Sequence, residues 1–300
     1  MASPLNLATP SLLNVSPCSE IAAQADGWQA SLRLQLKRKS ERTVLQSSIH
    51  QGPLRVQRPF YPEGPVCHLY LLHPPGGMVA GDNLVIDLEC LPISETLVTT
   101  PAAGKLYRVA DYASPQYQGV TARLAEGAVL EWLPQETILF NGARGELLSR
   151  FDLSANSQLI GWDIVCLGRR ASGEQFDQGD VKQRIEISRE GRPVYIDRVN
   201  FIGGSPMLDA PWGMAGRTVS GTFFGTINDD AAISLDEIRN ILPAPVPDHD
   251  WGVSQRGGVL LVRYLGASAE VCRQGFETIW QLLRPILLAR TVQRPRIWNT

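Results

Sequence analysis

Residues 69–82, LYLLHPPGGMVAGD, put the tightest limit on how this chain folds. An apolar run ends at His73, and Pro74-Pro75-Gly76-Gly77 must then turn the backbone. Two prolines fix φ and remove two donors, while glycines at 76, 77 and 81 permit positive φ and close approach of another segment. No helix runs through such a stretch. Met78-Val79-Ala80 resumes extended chain, and Gly81-Asp82-Asn83 delivers it into a second strand over residues 84–91. The plain expectation is a hairpin connection between two strands.

The flanking chain carries the same β character. Trp28, Ala30, Leu32, Leu34 and Leu36 alternate with Gln29, Ser31, Arg33, Gln35 and Lys37, the period of a half-buried strand. Further extended segments are predicted over residues 42–49, 96–100, 117–124, 128–133, 147–153, 158–167, 181–188, 194–199, 217–227 and 259–265, separated by turn residues at all-β spacing. Glu190-Gly191-Arg192-Pro193 reads as a hairpin tip. Helix signals wait until the last quarter. Ser234 with Glu237 makes a capping box for a short helix that Pro243, Pro245 and Pro247 end. Residues 268–284 form the one long helix candidate, with Cys272, Phe276, Ile279 and Leu283 as its apolar stripe and Pro285 to kink or stop it. No sequence repeat is visible. The expected fold is mainly β: an elongated domain of stacked, mostly antiparallel sheets with a few helices, the longest near the C-terminus. Residues 1–25, punctuated by proline, read as a mobile tail, and 26–300 as a single domain.

Charge and composition exclude several classes of function. A net charge of −2 argues against sequence-independent nucleic-acid binding. The first residues lack a basic start, and no run of about 20 apolar residues follows that could span a membrane. Five scattered cysteines, an odd number without pairing pattern, suit a reducing cytoplasm. Lys105 follows Gly104, but the upstream glycine of a phosphate-cradling loop is missing. No GxSxG, CxxC or HExxH occurs. Cys67, His68 and His73 are close in sequence, yet in extended chain Cys67 and His73 lie roughly 20 Å apart and His68 points the other way.

Carboxylates inside apolar strands are more informative. Asp163 sits within LIGWDIVCL, Asp197 within VYIDRV, and Asp82 closes the organising turn. Each needs hydrogen bonds, a partner or water. An arginine pair would serve Asp197 and turn chemistry Asp82, whereas both flanks of Asp163 are apolar. Oxygen ligands of this kind hold a divalent ion weakly, which fits passage better than storage.

Several blocks in order resemble the urease accessory protein UreD (UreH) family. They are HPPGGMVAGD at 73–82, TTPAAGKLYR at 99–108, EWLPQETILF at 131–140, WDIVCLGR at 162–169, Leu283-Arg284-Pro285, and Pro295-Arg296-Ile297-Trp298. The chain departs from the family pattern at Asn141, where Asp is frequent, and at Arg170, where Pro is common. The resemblance implies a non-enzymatic chaperone or scaffold in the maturation of nickel-dependent urease, with an elongated, mostly β fold. It implies binding to the all-helical partner UreF, through it to the nickel-carrying GTPase UreG, and docking on apo-urease. No tightly bound cofactor is expected; nickel would be handled transiently, with Asp82, Asp163 and Asp197 as candidates to line its path. Cys272, Phe276, Ile279 and Leu283 are the candidate contacts for the helical partner. A homodimer within the accessory complex stays open. The competing expectation is a β-sandwich hydrolase whose triad is assembled from distant residues.

Overall fold

In the computed structural model, residues 27–227, 234–244 and 248–299 are described. The expected tail at 1–25 and the prolines at 245 and 247 lie outside them. The strands are β1 (Gln29–Lys39), β2 (Arg42–Gln51), β3 (Arg55–Val56), β4 (Cys67–Leu72), β5 (Asn83–Cys90), β6 (Glu95–Thr99), β7 (Gly104–Leu106), β8 (Gln116–Leu124) and β9 (Val129–Leu133). They continue as β10 (Thr137–Leu139), β11 (Arg144–Leu153), β12 (Gln158–Leu167), β13 (Asp180–Arg189) and β14 (Arg192–Ile202). A short α1 (Pro206–Asp209) precedes β15 (Val219–Thr226), α2 (Leu235–Ile241), β16 (His249–Arg256), β17 (Val259–Gly266) and α3 (Ala269–Leu288).

From β4 to β13 the chain winds as a coil between two sheets. One sheet has the order β14-β13-β11-β8-β5-β1-β2; the other runs β16-β17-β15-β12-β9-β6-β4-β3, with β10 beside β12 and β7 beside β10. Consecutive long strands therefore lie in opposite sheets, and the strand across the way serves as the crossover that parallel neighbours require. All pairings among β1, β5, β8, β11 and β13 are parallel. So are those among β4, β6, β9 and β12. The mainly β class with its longest helix near the C-terminus stands. The expected antiparallel pairing is corrected to mixed sheets, antiparallel at the flanks, such as β1–β2, β13–β14 and β15–β17. The hairpin expected around residues 74–77 is also corrected, because β4 and β5 belong to different sheets.

Short and long connections segregate to opposite ends of the coil. At one end, residues 91–94, 125–128 and 154–157 make three stacked turns, each closed by the same i+3 to i bond: Ser94 N to Leu91 O, Ala128 N to Ala125 O, Ser157 N to Ser154 O. At the other end, residues 73–82, 100–115, 134–143 and 168–179 form long arches from the second sheet to the first.

Side-chain alternation builds two cores. Leu32, Leu34, Leu36, Leu84, Leu88, Val120 and Phe151 of the first sheet meet Leu69, Val98, Leu130, Leu159 and Phe224 of the second. The second sheet is covered on its far face by α3, so β12 is apolar on both faces: Leu159, Val165 and Leu167 point between the sheets, Ile160, Trp162 and Ile164 toward the helix. Helix α3 starts at Ser268, whose side chain accepts from Val271 N, runs through Pro285, and ends where Ala289 turns to φ +51°. Gly221 admits it, since a Cβ there would lie 2.4 Å from Cys272 Sγ. Ser234 caps α2 as expected, accepting from Glu237 N at 3.2 Å.

Candidate functional site

The four long arches hold the HPPGGMVAGD, TTPAAGKLYR and EWLPQETILF stretches, and WDIVCLGR leads into the fourth. In the first arch, Gly76 N closes on His73 O. Asp82 then gathers two backbone donors, Trp28 N at 2.9 Å and Val79 N at 2.8 Å, while its own N–H returns to Val79 O. The carboxylate thus pins the entry to β1 against the entry to β5. Met78 is laced to the second arch through Lys105 O and Tyr107 N, and the buried Gln116 amide donates to Met78 O and Tyr107 O. Gly77 is obligatory for a different reason from Gly76: a Cβ would sit 2.5 Å from the Tyr107 ring.

Beneath these arches a cavity of ≈190 Å³ opens between the sheets. His73, Lys105, Gln135, Asp163 and Gln183 are among the residues that bring polar groups to a wall shared with Leu71, Met78, Ile86 and Trp132. Asp163 follows from strand arithmetic: on β12 it shares the face of Leu159 and Val165, which looks between the sheets. Ser149 Oγ of β11 donates to Asp163 Oδ2 at 2.7 Å, and Trp132 Nε1 approaches Oδ1 at 3.4 Å. Burial pushes this carboxyl up to about 6, and the two donors only partly offset it. His73, at the arch end of β4, is held below the ordinary histidine value by burial, against the pull of Asp82.

The three carboxylates singled out from the sequence are not brought to one point. Asp82 is a buried structural clamp, and Asp163 faces the cavity. Asp197 lies at the open side of the sandwich, 3.1 Å from Arg263 of β17 and hydrogen-bonded by the Tyr195 hydroxyl at 3.0 Å. Among the described residues no group of three or more His, Cys, Asp or Glu is placed to hold a metal ion.

The stripe Cys272, Phe276, Ile279 and Leu283 needs correction as a partner contact. All four side chains are fully buried against Trp162, Phe223 and their neighbours, with the Phe276 and Phe223 rings 5.8 Å apart. An amphipathic stripe reports which face is covered, not by what, and here the chain's own sheet covers it.

Sequence reasoning passed over a buried ionic cluster on that helix-facing side. Arg284 of α3 reaches Glu131 of β9 and Glu63 of the β3–β4 connection. Trp280 Nε1 donates to Glu131 at 2.6 Å, and His68 Nε2 donates to Glu63 at 2.6 Å. Burial would raise the Glu63 carboxyl, but His68 and Arg284 outweigh it and hold it below the usual range. The signal was present, because Glu131 and Arg284 both lie in the family-like blocks, 153 residues apart.

A family model described as UreD urease accessory protein matches residues 29–299. A protein of Dechloromonas aromatica named urease accessory protein UreD is 46% identical over 277 residues, 91% of this chain and 95% of its own length. Proteins of the same name from Saccharophagus degradans and Marinobacter nauticus are 44% and 41% identical, each over 91% of this chain and 93% of their own length.

Proposed function

The chain belongs to the UreD family of urease accessory proteins, which are not enzymes, and from that premise we propose that it is a cytoplasmic scaffold and chaperone for inserting nickel into apo-urease. It works in a complex with UreF and, through UreF, with the GTPase UreG, and two copies can share one complex. Among the described residues no helix is long and apolar enough to cross a membrane.

The observation that carries this reading is the convergence of four long arches over a cavity that exposes one carboxylate, Asp163. An oxygen ligand, with His73 and Gln135 on the same wall, holds a divalent cation loosely enough to release it. Pushed up only to about 6, the Asp163 carboxyl is largely ionised near neutral pH and can accept the cation directly. Of the three candidate path residues, the cavity position of Asp163 best supports a role in transfer, while Asp82 and Asp197 hold the arch and the sandwich edge in shape. The arch end also presents Trp28 and Tyr112, 58% and 95% exposed, the type of side chain that protein contacts bury.

The test is Asp163→Asn, which keeps the shape and removes the charge. Accessory complexes with urease are isolated by size-exclusion chromatography, and nickel content and activity of the matured urease are measured. Intact complexes with reduced nickel loading are expected. Full activation by the variant removes the transfer role from this residue.

A further inference from the structure

We propose that the outer face of the first sheet is a docking groove for a carboxylate-rich polypeptide segment of a partner protein. The groove measures ≈810 Å³ and crosses β8, β11, β13 and β14 at the end of the short turns, away from the cavity beneath the long arches. Four arginines line it: Arg123, Arg150, Arg184 and Arg198.

A solvated sheet face ordinarily sets opposite charges against one another across the ladder. Much of this face obeys that rule. Arg150 stands opposite Glu186, and Arg123 opposite Asp152 by way of β11. Arg184 and Arg198 break it, because they are direct partners across the antiparallel β13–β14 ladder. Like charges in that position destabilise a sheet unless an anion sits between them. The local carboxylates are already engaged: Glu186 pairs with Arg184, Asp152 accepts from Arg150 and Ser188, and Glu89 accepts from Gln35. Arg198 makes no ion pair among the described residues, and Arg184 Nε is buried without a partner. Arg123, Arg150 and Arg184 each have a carboxylate of this chain, so the unmet demand in the groove is that of Arg198, set directly beside Arg184, and a planar guanidinium binds carboxylates in forked pairs.

The occupant is a polypeptide and not a nucleic acid. Glu89, Asp152 and Glu186 are interspersed among the arginines, so the groove fits anions spaced to meet single guanidinium groups, which a polypeptide can supply and a phosphate at every nucleotide cannot. Ile196, 45% exposed and opposite Glu186, adds an apolar seat for a side chain of the bound segment.

The experiment uses the full chain and fluorescence anisotropy with three labelled probes: a peptide of glutamate, serine and leucine, its glutamine counterpart, and oligothymidylate. The glutamate peptide binds, more weakly at high salt, and the glutamine peptide does not. Arg184→Gln with Arg198→Gln weakens binding at least about tenfold, an order of magnitude being the loss of roughly one good contact. Arg33→Gln with Lys37→Gln, on the same face of β1 but outside the groove, leaves it unchanged. Circular dichroism confirms the fold, and Arg198→Gln alone carries the test if the double variant unfolds. Failure of the glutamate peptide to bind, equal weakening by the two double variants, or tighter binding of oligothymidylate overturns the proposal. Nickel transfer plays no part in the readout.

Discussion

Arg284 of α3 and Glu131 of β9 meet at 2.9 Å where their side chains are 0% and 2% exposed. The contact is forked, with a second bond at 3.0 Å, and Glu63 approaches the same guanidinium at 2.7 Å. Burial opposes the charge on Arg284, and the two carboxylates more than restore it. This cluster ties the C-terminal helix to the middle of the second sheet.

Removing one partner strands a buried charge. Arg284→Leu is expected to lower stability by about 3–5 kcal/mol in urea unfolding. Glu131→Leu made together with it is expected to cost less than the sum of the single changes, since each single variant leaves the other group unanswered. Additive losses would show that the pair is not coupled.

Asp163 links stability to pH with a definite sign. Its folded value of about 6 lies above the unfolded carboxylate value, so the folded chain binds the extra proton. Below the unfolded value both states are protonated and the group is silent. As pH rises through the interval up to about 6 the charge is forced into the core, and stability falls by up to roughly 3 kcal/mol. Asp163→Asn removes this penalty. The variant is expected to gain on the parent between about pH 4 and pH 6 and to hold that gain above, in paired melting curves. A gain independent of pH would mean the carboxyl is not buried as an acid. Greater stability with poorer nickel loading is the signature of a residue kept for transfer.

Strand positions were legible because alternation reports which face is buried, and β12 fell on residues 158–167 as expected. The partner of each strand was not legible, since period two is the same in parallel and antiparallel ladders. The coil hides further because its three short turns, LPIS, AEGA and SANS, share hydrogen bonds but no sequence. β7 and β10, of three residues each, have no period to read. β16 was missed because one face is open and its pattern polar. Of the site, the direction of Asp163 follows from its strand neighbours, whereas the cavity it faces depends on arches that carry no periodicity.

One of those stacked turns stores strain. Ile93 sits at φ +55°, a region β-branched residues avoid, and is 61% exposed. Ile93→Asn is expected to raise stability by about 1 kcal/mol, because the left-handed penalty falls and little burial is lost. Gly127 stacks beside it at φ +65°, with a built Cβ 3.1 Å from Ile93 Cγ2, so Gly127→Ala is expected to lower stability. Urea midpoints that move the other way for Ile93→Asn would mean the side chain is held by contacts that outweigh its backbone.

The two adjacent glycines of the first arch, Gly76 and Gly77, separate two demands that the sequence presents as one. Gly76 has φ +78° and open space where a Cβ would stand; Gly77 has no positive φ but would meet the Tyr107 ring at 2.5 Å and Lys105 Cβ at 3.0 Å. Gly76→Ala is therefore a backbone problem, costing about 1 kcal/mol, and Gly76→Asn should recover most of it, since Asn tolerates the left-handed region. Gly77→Ala is a packing problem, costing about 1–3 kcal/mol, and Gly77→Asn should be worse, because its side chain is larger. Tyr107 packs edge-on against Phe140 with ring centroids 4.8 Å apart, so displacing it disturbs the third arch as well. The Gly77 variants should thus change the near-ultraviolet tyrosine signal and impair urease maturation, while Gly76→Asn should do neither. Equal behaviour of Asn at the two positions would show that the arch is set by turn geometry alone.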